Sequence, residues 1–242
     1  MNEVPRPLLR AVVTGSSSGI GAAVARRLLS DGWQVSGLDR AAATIEHELF
    51  QAHAVDLAAP ESEVDHLTQV LAPILAAGPI QALVHAAGLL HTAPLGGLRA
   101  DQGALMWRLH VDAAARLANA LLPAMARAGQ GRVVLIGSRI WPGMAGRSQY
   151  AATKAALVSM ARSWAAEVVS RGVTVNVVSP AATDTPMLAD PARADSAPRL
   201  PPIGRLIRPG EVASLVAYLL GPEAAAITGQ DIAVCGGASL PR

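Results

Sequence analysis

The sequence predicts one α/β domain built on a parallel, seven-stranded, doubly wound sheet with helices on both faces. Short apolar runs of strand length alternate along the chain with longer segments of helical periodicity, a pattern typical of parallel sheets covered by helices. The apolar runs are continuous, as expected for strands that are buried on both faces. No internal repeat or linker interrupts the 242 residues, so we interpret residues 1–242 as a single domain.

The first half of the chain supplies four of the predicted strands. Residues 8–14 form an apolar, β-branched run that ends at a glycine-rich turn, which indicates a buried strand. In the helix predicted next, at residues 19–30, the apolar side chains Ile20, Val24 and Leu28 share one face. The remaining elements predicted here are strands at residues 34–38, 54–57 and 82–84 and a helix at residues 61–75.

The second half continues the alternation with three further strands. A long helix rich in alanine and leucine, at residues 101–127, precedes a strand at residues 132–137 that stops at Ser138. The proline-rich residues 186–209 break the pattern, and because long loops in compact domains are usually functional, we expect a semi-rigid substrate lid at about residues 186–206. The other elements predicted here are helices at residues 148–170 and 211–220 and strands at residues 173–178 and 231–235.

Charge and hydropathy argue against several classes of partner. The formal net charge is only +2, with acidic and basic residues mixed along the chain, which does not fit a nucleic-acid-binding surface. No uncharged apolar stretch approaches the ~18–20 residues needed to span a bilayer, so we expect neither a nucleic-acid nor a membrane partner. A loose basic segment is interpreted as a solvated loop, with contact to an acidic substrate as the alternative; it contains Arg193, Arg199, Arg205 and Arg208.

The cysteine content indicates a reducing compartment. Cys235 is the only cysteine, so an intrachain disulfide is impossible. It lies in an apolar run and is interpreted as a small buried residue. The amino-terminal residues 1–7 carry charge and two prolines, unlike a secretory signal. These features predict a cytoplasmic protein, and we assign no metal-binding residues.

The turn after the first strand has the composition of a dinucleotide-binding turn. Gly15 allows a tight bend, and Gly19 and Gly21 allow the backbone and the next helix to approach phosphates closely. The free N–H groups of that helix then point at the pyrophosphate. Asp39 ends the second strand, where a carboxylate binds the ribose hydroxyls and repels a 2′-phosphate, so we expect NAD, with NADP less favoured. Arg40, next to it, weakens this preference. The other cofactor contacts expected here are Ser17, Ser18 and Ile20.

Ser138, Tyr150 and Lys154 form a candidate catalytic set. Tyr150 and Lys154 are at positions i and i+4 of a predicted helix and share one face, and Ser138 ends a strand at the ligand-binding edge of the sheet. A free tyrosine has a pKa of about 10, but a neighbouring ammonium and a positive nicotinamide ring favour the phenolate. Tyr150 can then act as general acid and base while Ser138 donates a hydrogen bond to the substrate oxygen. Together with the glycine turn, this set predicts a nicotinamide-dependent oxidoreductase.

Over nearly its whole length the chain resembles the short-chain dehydrogenase/reductase family. The family's glycine motif matches the turn described above, and its catalytic triad matches Ser138, Tyr150 and Lys154. The resemblance implies a Rossmann fold, an alcohol or ketone substrate, and a proton relay from Tyr through the ribose and Lys to water. It also implies a homotetramer or homodimer assembled through two long helices. Cofactor contacts are implied at Asp56, Leu57, Ala86, Ala87, Gly88, Pro180, Thr183 and Thr185, besides Tyr150 and Lys154.

Three departures from the family pattern concern the site. Residues 85–88 read His-Ala-Ala-Gly instead of Asn-Asn-Ala-Gly, and Ser138 and Tyr150 are twelve residues apart, one less than is most common. The family's fourth catalytic residue, an asparagine that holds the relay water at a helix bulge, matches His110. Histidine can also hold a water but titrates near neutrality, and a tolerated substitution with no catalytic role is the alternative. We expect His110→Asn to keep or raise activity and to flatten its pH profile.

The sequence leaves several substrate classes open. Residues 179–187 and 227–232 resemble those of 2,3-dihydro-2,3-dihydroxybenzoate dehydrogenases, which would bring a substrate carboxylate to Arg139, Arg147 or His91. A 3-oxoacyl thioester reductase is the alternative, although the carboxylate after the second strand argues against the NADPH that such enzymes usually use. A non-catalytic nucleotide-binding scaffold is a remote alternative, because the Ser/Tyr/Lys set is intact. The substrate contacts expected are His91, Ser138, Arg139 and Met144.

Overall fold

The computed structural model describes residues 8–59, 66–188 and 200–241, and its centre is a parallel sheet of seven strands. The strands are β1 (Arg10–Thr14), β2 (Gln34–Asp39), β3 (Phe50–Ala54), β4 (Ala82–His85), β5 (Gly131–Ile136), β6 (Val173–Pro180) and β7 (Asp231–Val234). They pair in the order β3-β2-β1-β4-β5-β6-β7, and every neighbouring pair is parallel. The predicted α/β fold class, with a doubly wound parallel sheet, is confirmed.

Helices cover the sheet and connect successive strands, except that residues 40–49 join β2 to β3 without a helix. In the described part of the chain they are α1 (Gly19–Ser30), α2 (His66–Ala76), α3 (Ala100–Trp107), α4 (Ala113–Ala128), α5 (Ser148–Val168) and α6 (Pro209–Leu220). A π-helical turn at Arg108–Asp112, called the π-turn below, joins α3 to α4. None of the helices in the described ranges has the length and hydropathy needed to cross a bilayer.

Two apolar layers hold the helices onto the sheet, one on each face. In one layer, Leu117 of α4 and Leu157 of α5 are fully buried together with Leu83 of β4. In the other layer, Leu28 of α1 and Val216 of α6 are fully buried together with Val84 of β4. Burial on both faces explains why the central strands are continuous apolar runs.

The third strand lies at Phe50–Ala54 rather than at the predicted residues 54–57. It is at the edge of the sheet and pairs only with β2. Its side chains are exposed or half-buried, so it lacks the apolar run that marks the buried strands. Val55 and Leu57, which made the predicted strand apolar, are buried just beyond the end of the real one.

The long helix predicted at residues 101–127 is divided into α3 and α4 by the π-turn, a single-turn irregularity that helical periodicity does not reveal. Of the helix predicted at residues 61–75, residues 61–65 lie outside the described chain, and α2 begins at His66. Cys235 is half-buried rather than fully buried. The other predicted elements are confirmed to within two residues at each end.

Candidate active site

A cavity of about 1000 Å³ opens at the carboxyl edge of the sheet, where ligands bind in open parallel sheets. Among the residues predicted for the site, Ser17, His91 and His110 do not line it. The predicted cofactor contacts that do line it are Gly15, Ser18, Gly19, Ile20, Gly21, Asp39, Arg40, Asp56, Leu57, Ala86, Ala87, Gly88, Tyr150, Lys154, Pro180, Thr183 and Thr185. Of the predicted substrate contacts, Ser138, Arg139 and Met144 line it. The fold thus brings residues from six strand ends and three helices into one cavity.

The glycine turn is packed so closely that side chains would not fit. Gly15 has a φ of 68°, in the left-handed region, and a Cβ there would lie 2.9 Å from the Ala87 backbone. Gly19 also has a positive φ, of 54°. A Cβ on Gly21 would lie 2.1 Å from the Gly15 carbonyl oxygen. Gly21 is therefore required for packing α1 onto the turn, and it also lines the cavity as expected.

The first turn of α1 presents backbone N–H groups to the cavity. Ser18, the residue before the helix, has an extended backbone, and its side chain makes no capping hydrogen bond. Ser18, Gly19, Ile20 and Gly21 all line the cavity. The N–H groups of a first helical turn have no intrahelical partner, and the helix dipole is positive there. This end of the cavity therefore fits an anion such as the pyrophosphate of a dinucleotide.

Asp39 lies at the end of β2 on the wall of the same cavity. Its Oδ2 accepts a hydrogen bond from the Ser17 N–H (2.9 Å), and its Oδ1 accepts one from the Ala41 N–H (3.0 Å). The Ser17 hydroxyl donates to the Ala41 carbonyl oxygen (3.1 Å). Ser17 thus orients the carboxylate instead of lining the cavity. The exposed Arg40 lines the cavity beside it.

The wall next to Asp39 is formed by the segment that follows β3. Asp56 Oδ1 accepts a hydrogen bond from the Ala58 N–H (2.9 Å), which closes a tight turn. The carbonyl oxygen of Ala58 accepts a hydrogen bond from Arg108 Nε (3.0 Å), and that of Leu57 accepts one from an Arg116 terminal nitrogen (2.9 Å). Sequence reasoning missed both arginines, because their partners are backbone atoms 50 and 59 residues away.

Ser138, Tyr150 and Lys154 meet on the wall formed by the end of β5 and the start of α5. All three are at least nine-tenths buried. Lys154 Nζ lies 5.7 Å from the centre of the Tyr150 ring and donates a hydrogen bond to the Ile136 carbonyl oxygen (2.9 Å). Burial lowers the pKa of Lys154 to about 7, because the ammonium loses its hydration. The geometry places a hydroxyl, a phenol and an amine within one enclosed site.

His110 is fully buried in the π-turn, edge-on to the Tyr150 ring at 5.7 Å between ring centres. Its Nε2 accepts a hydrogen bond from the Leu89 N–H (3.0 Å), so this nitrogen carries no proton. The Nδ1 therefore carries the proton and donates to Thr153 Oγ1 (2.8 Å), whose hydroxyl donates to the Tyr150 carbonyl oxygen (2.8 Å). Burial, reinforced by the charge of Lys154, holds the pKa of His110 well below its ordinary value.

These contacts define what the imidazole of His110 does. Both ring nitrogens have protein partners, so the ring itself is committed to the fold, and the π-turn supplies the helix bulge that the family resemblance implies at this position. Because its pKa is well below 6.5, the imidazole is neutral at physiological pH and does not shape a pH profile near neutrality. Instead, His110 ties the loop after β4 to α5. Its partner Thr153 had no signal in the sequence that distinguished it from other helical residues.

His85 is a second buried histidine, at the end of β4. Thr14 Oγ1 accepts hydrogen bonds from the Ala86 and Ala87 N–H groups (both 3.0 Å), so its own proton goes to His85 Nδ1 (3.0 Å). Burial, and then the charge of Lys154, lower the pKa of His85 to about 3. His85 is therefore a neutral residue that joins the ends of β1 and β4.

On the substrate side of the cavity, some of the predicted residues line the wall and others do not. His91 donates its N–H to Met106 Sδ (3.5 Å) and does not line the cavity. Of the expected lid, residues 189–199 lie outside the described chain, while residues 186–188 and 200–201 line the cavity. Several residues that line the cavity were not expected, because nothing in their local sequence marks them; they include Leu105, Leu109, Ala238 and Leu240.

Comparison with known proteins assigns the chain to a family. The family model described as Enoyl-(Acyl carrier protein) reductase matches residues 15–239. The chain is 37% identical over 234 residues to the 3-oxoacyl-[acyl-carrier-protein] reductase FabG of Vibrio cholerae, an alignment that covers 94% of this chain and 96% of that protein. A solved short chain dehydrogenase/reductase family protein is 32% identical, with a TM-score of 0.82 and coverage of 95% of this chain and 96% of that one. The chain belongs to the short-chain dehydrogenase/reductase family.

Membership of the short-chain dehydrogenase/reductase family confirms the Rossmann-like fold and identifies the protein as an oxidoreductase of a class that binds nicotinamide cofactors. A further member, a 3-oxoacyl (acyl-carrier-protein) reductase from Agrobacterium tumefaciens C58 solved with NADP bound, has a TM-score of 0.82 at 28% identity, covering 95% of this chain and 93% of that one. These relatives do not support the narrower resemblance to 2,3-dihydro-2,3-dihydroxybenzoate dehydrogenases. They favour the 3-oxoacyl alternative.

Proposed function

We propose that this protein interconverts a ketone and a secondary alcohol, that its ketone substrate is a 3-oxoacyl thioester or a closely related compound, and that NAD(H) is its cofactor. One observation carries the proposal: Ser138, Tyr150 and Lys154 line the same cavity as the glycine turn and Asp39. The acyl substrate is supported by the 3-oxoacyl reductases among the relatives.

The residues of this chain handle the substrate oxygen and its proton, while the bound nicotinamide supplies or accepts the hydride. Ser138 donates a hydrogen bond to the ketone oxygen, and the Tyr150 phenol gives its proton to that oxygen as the new C–H bond forms. In the oxidative direction the Tyr150 phenolate removes the alcohol proton. The charged form of Lys154 stabilises the phenolate, and a pKa of about 7 lets Lys154 exchange protons at neutral pH.

NAD(H) is proposed over NADP(H) because of the carboxylate of Asp39. Two backbone N–H groups fix its orientation on the cavity wall. A ribose hydroxyl can donate to such a carboxylate, whereas a 2′-phosphate would bring negative charge against it. The exposed side chain of Arg40 is not fixed by a comparable pair of bonds among the described residues, so the carboxylate dominates this end of the site.

The substrate end of the cavity is compatible with an acyl group. Around Tyr150, the apolar side chains of Met106 and Ile140 form a buried cluster, and Leu89 packs against it. The half-buried Arg139 also lines the cavity. Arg147 lines the cavity as well, and an apolar wall with these cations beside it fits an acyl chain attached to an anionic carrier group better than it fits a small, uniformly polar diol.

The test is cofactor oxidation by a short 3-oxoacyl thioester, with NADH and NADPH compared in parallel and a cyclic diol with NAD as the alternative substrate. We expect NADH to be oxidised by the thioester, and Tyr150→Phe to lower kcat by about 10²-fold or more. Calorimetric binding of NADH to the Tyr150→Phe protein shows that the site is still folded. Turnover of the diol but not of the thioester would refute the substrate class. NADH binding without turnover of any ketone or alcohol would indicate a binding protein instead.

A further inference from the structure

Among the described residues, the cavity wall at residues 55–58 makes few hydrogen bonds to the rest of the protein, although Val55 and Leu57 pack in the apolar core. The segment follows β3, which is one of the two edge strands of the described sheet. The Val55 N–H donates to the Asp39 carbonyl oxygen (2.9 Å), which joins the start of the segment to β2. The bonds from Ala58 N–H and Ala59 N–H to Asp56 are internal to the segment. Within the described part of the chain, the other hydrogen bonds to the far end of this wall come from distant side chains.

Two arginines supply that attachment. Arg108 Nε donates to the Ala58 carbonyl oxygen (3.0 Å), and a terminal nitrogen of Arg116 donates to the Leu57 carbonyl oxygen (2.9 Å). Both donors are charged, and charged donors make stronger hydrogen bonds than neutral ones. Ala58 and Leu57 are nearly inaccessible to solvent, so water does not readily replace the arginines there.

The position of Arg108 is itself fixed. Arg108 is the first residue of the π-turn, and two residues later His110 is bonded to the Leu89 N–H and to Thr153. Leu109, between them, lines the cavity. The Arg108 guanidinium therefore extends from a turn that hydrogen bonds hold to the loop after β4 and to α5 before any ligand binds. A residue that positions part of a binding site needs such a fixed support.

We propose that Arg108 is a positioning residue for the adenosine end of the nicotinamide cofactor. It holds the segment at residues 55–58 in the place where that segment, together with Asp39, lines the cavity. Arg108 acts through Ala58 and does not itself line the cavity. This inference rests on the proposed use of a nicotinamide dinucleotide.

The experiment measures binding of ADP-ribose, which carries the adenosine end of the cofactor without its nicotinamide, by titration calorimetry. In Arg108→Met, loss of one charge-assisted hydrogen bond is expected to weaken ADP-ribose binding by about tenfold. Arg108→Lys, which keeps a charged donor, is expected to recover part of the loss. Arg127→Met, on the exposed last turn of α4, is the matched control and should bind ADP-ribose like the wild type.

A second readout separates positioning from a general loss of structure. In Arg108→Met we expect the KM for NADH to rise while kcat at saturating NADH stays within about twofold of wild type. The reason is that the substitution leaves Ser138, Tyr150 and Lys154 unchanged. ADP-ribose binding equal to that of the wild type would overturn the inference, as would a fall in kcat that parallels the fall in affinity. If the wild-type protein bound neither NADH nor ADP-ribose, the proposed function would fail first and this inference with it.

Discussion

The buried Lys154 should make the stability of the ligand-free protein depend on pH, and Lys154→Met should remove that dependence. Burial lowers the pKa of this lysine from 10.5 to about 7 in the folded protein, whereas the unfolded chain keeps the ordinary value. Between these two pKa values the unfolded chain binds more protons than the folded chain. Stability therefore rises as the pH rises through this window. Below pH 7 the folded protein bears the full free-energy cost of keeping the buried Lys154 charged.

The magnitude follows from the size of the shift. Each pKa unit corresponds to about 1.4 kcal/mol, so the shift of Lys154 from 10.5 to about 7 costs about 5 kcal/mol of stability at low pH. Between pH 6 and pH 9, about 3 kcal/mol of this is recovered as the folded-state amine loses its proton. Methionine has a similar length and no charge, so Lys154→Met removes the titration with little change in packing.

The assay is urea unfolding at pH 6, 7, 8 and 9 for the wild-type and Lys154→Met proteins without cofactor. Subtracting the two curves cancels the titrating groups that do not interact with Lys154; His85 and His110, which do, are neutral in this pH range mainly because they are buried. We expect the wild type to gain about 3 kcal/mol relative to the variant from pH 6 to pH 9, and the variant to be the more stable protein at pH 6. Parallel stability curves would refute the reasoning, because they would mean that Lys154 keeps an ordinary pKa in the fold.

Three further predictions concern the other parts of the site. His110→Asn should leave the pH profile of kcat between pH 6 and 8 unchanged, because the imidazole is neutral there. The substitution should also lower the free energy of unfolding by about 1–3 kcal/mol, because the hydrogen bond to Thr153 or to Leu89 is lost. A flattened pH profile with unchanged stability would contradict this. Gly21→Ala should cost at least about 2 kcal/mol of unfolding free energy, since its Cβ would lie 2.1 Å from a carbonyl oxygen, whereas Gly210→Ala, with open space around it, should be tolerated in the same denaturation assay. Asp39→Ala should lower the ratio of kcat/KM with NAD to kcat/KM with NADP by about tenfold or more, and an unchanged ratio would show that another residue selects the cofactor.

The sequence was most informative where one residue type is required by backbone geometry or by chemistry. Gly15 could be predicted because only glycine readily takes its left-handed backbone conformation at such close contact. Asp39 and the Ser138, Tyr150 and Lys154 set could be predicted because strand ends and helical spacing place them at one edge of the sheet.

The features that the sequence did not predict have a different physical cause. The sequence left open whether His110 holds a water or has no catalytic role, because its partners are the Leu89 N–H, 21 residues away, and Thr153, 43 residues away, which local spacing cannot reveal. The edge strand β3 lacks an apolar pattern because its side chains are not buried. Arg108 holds the segment at residues 55–58 through a hydrogen bond to the Ala58 carbonyl oxygen. Every residue type has a backbone carbonyl, so the sequence does not mark this partner.

The strand order has a consequence for the growing chain on the ribosome. In the finished sheet β1 lies between β2 and β4, and Thr14 and His85, at the ends of β1 and β4, are 71 residues apart in the chain. At roughly 5–20 residues per second, that separation corresponds to about 4–14 seconds of translation. Throughout this interval one side of the buried, apolar β1 has no strand beside it, so the nascent amino-terminal half has an exposed edge that is prone to aggregation until β4 emerges.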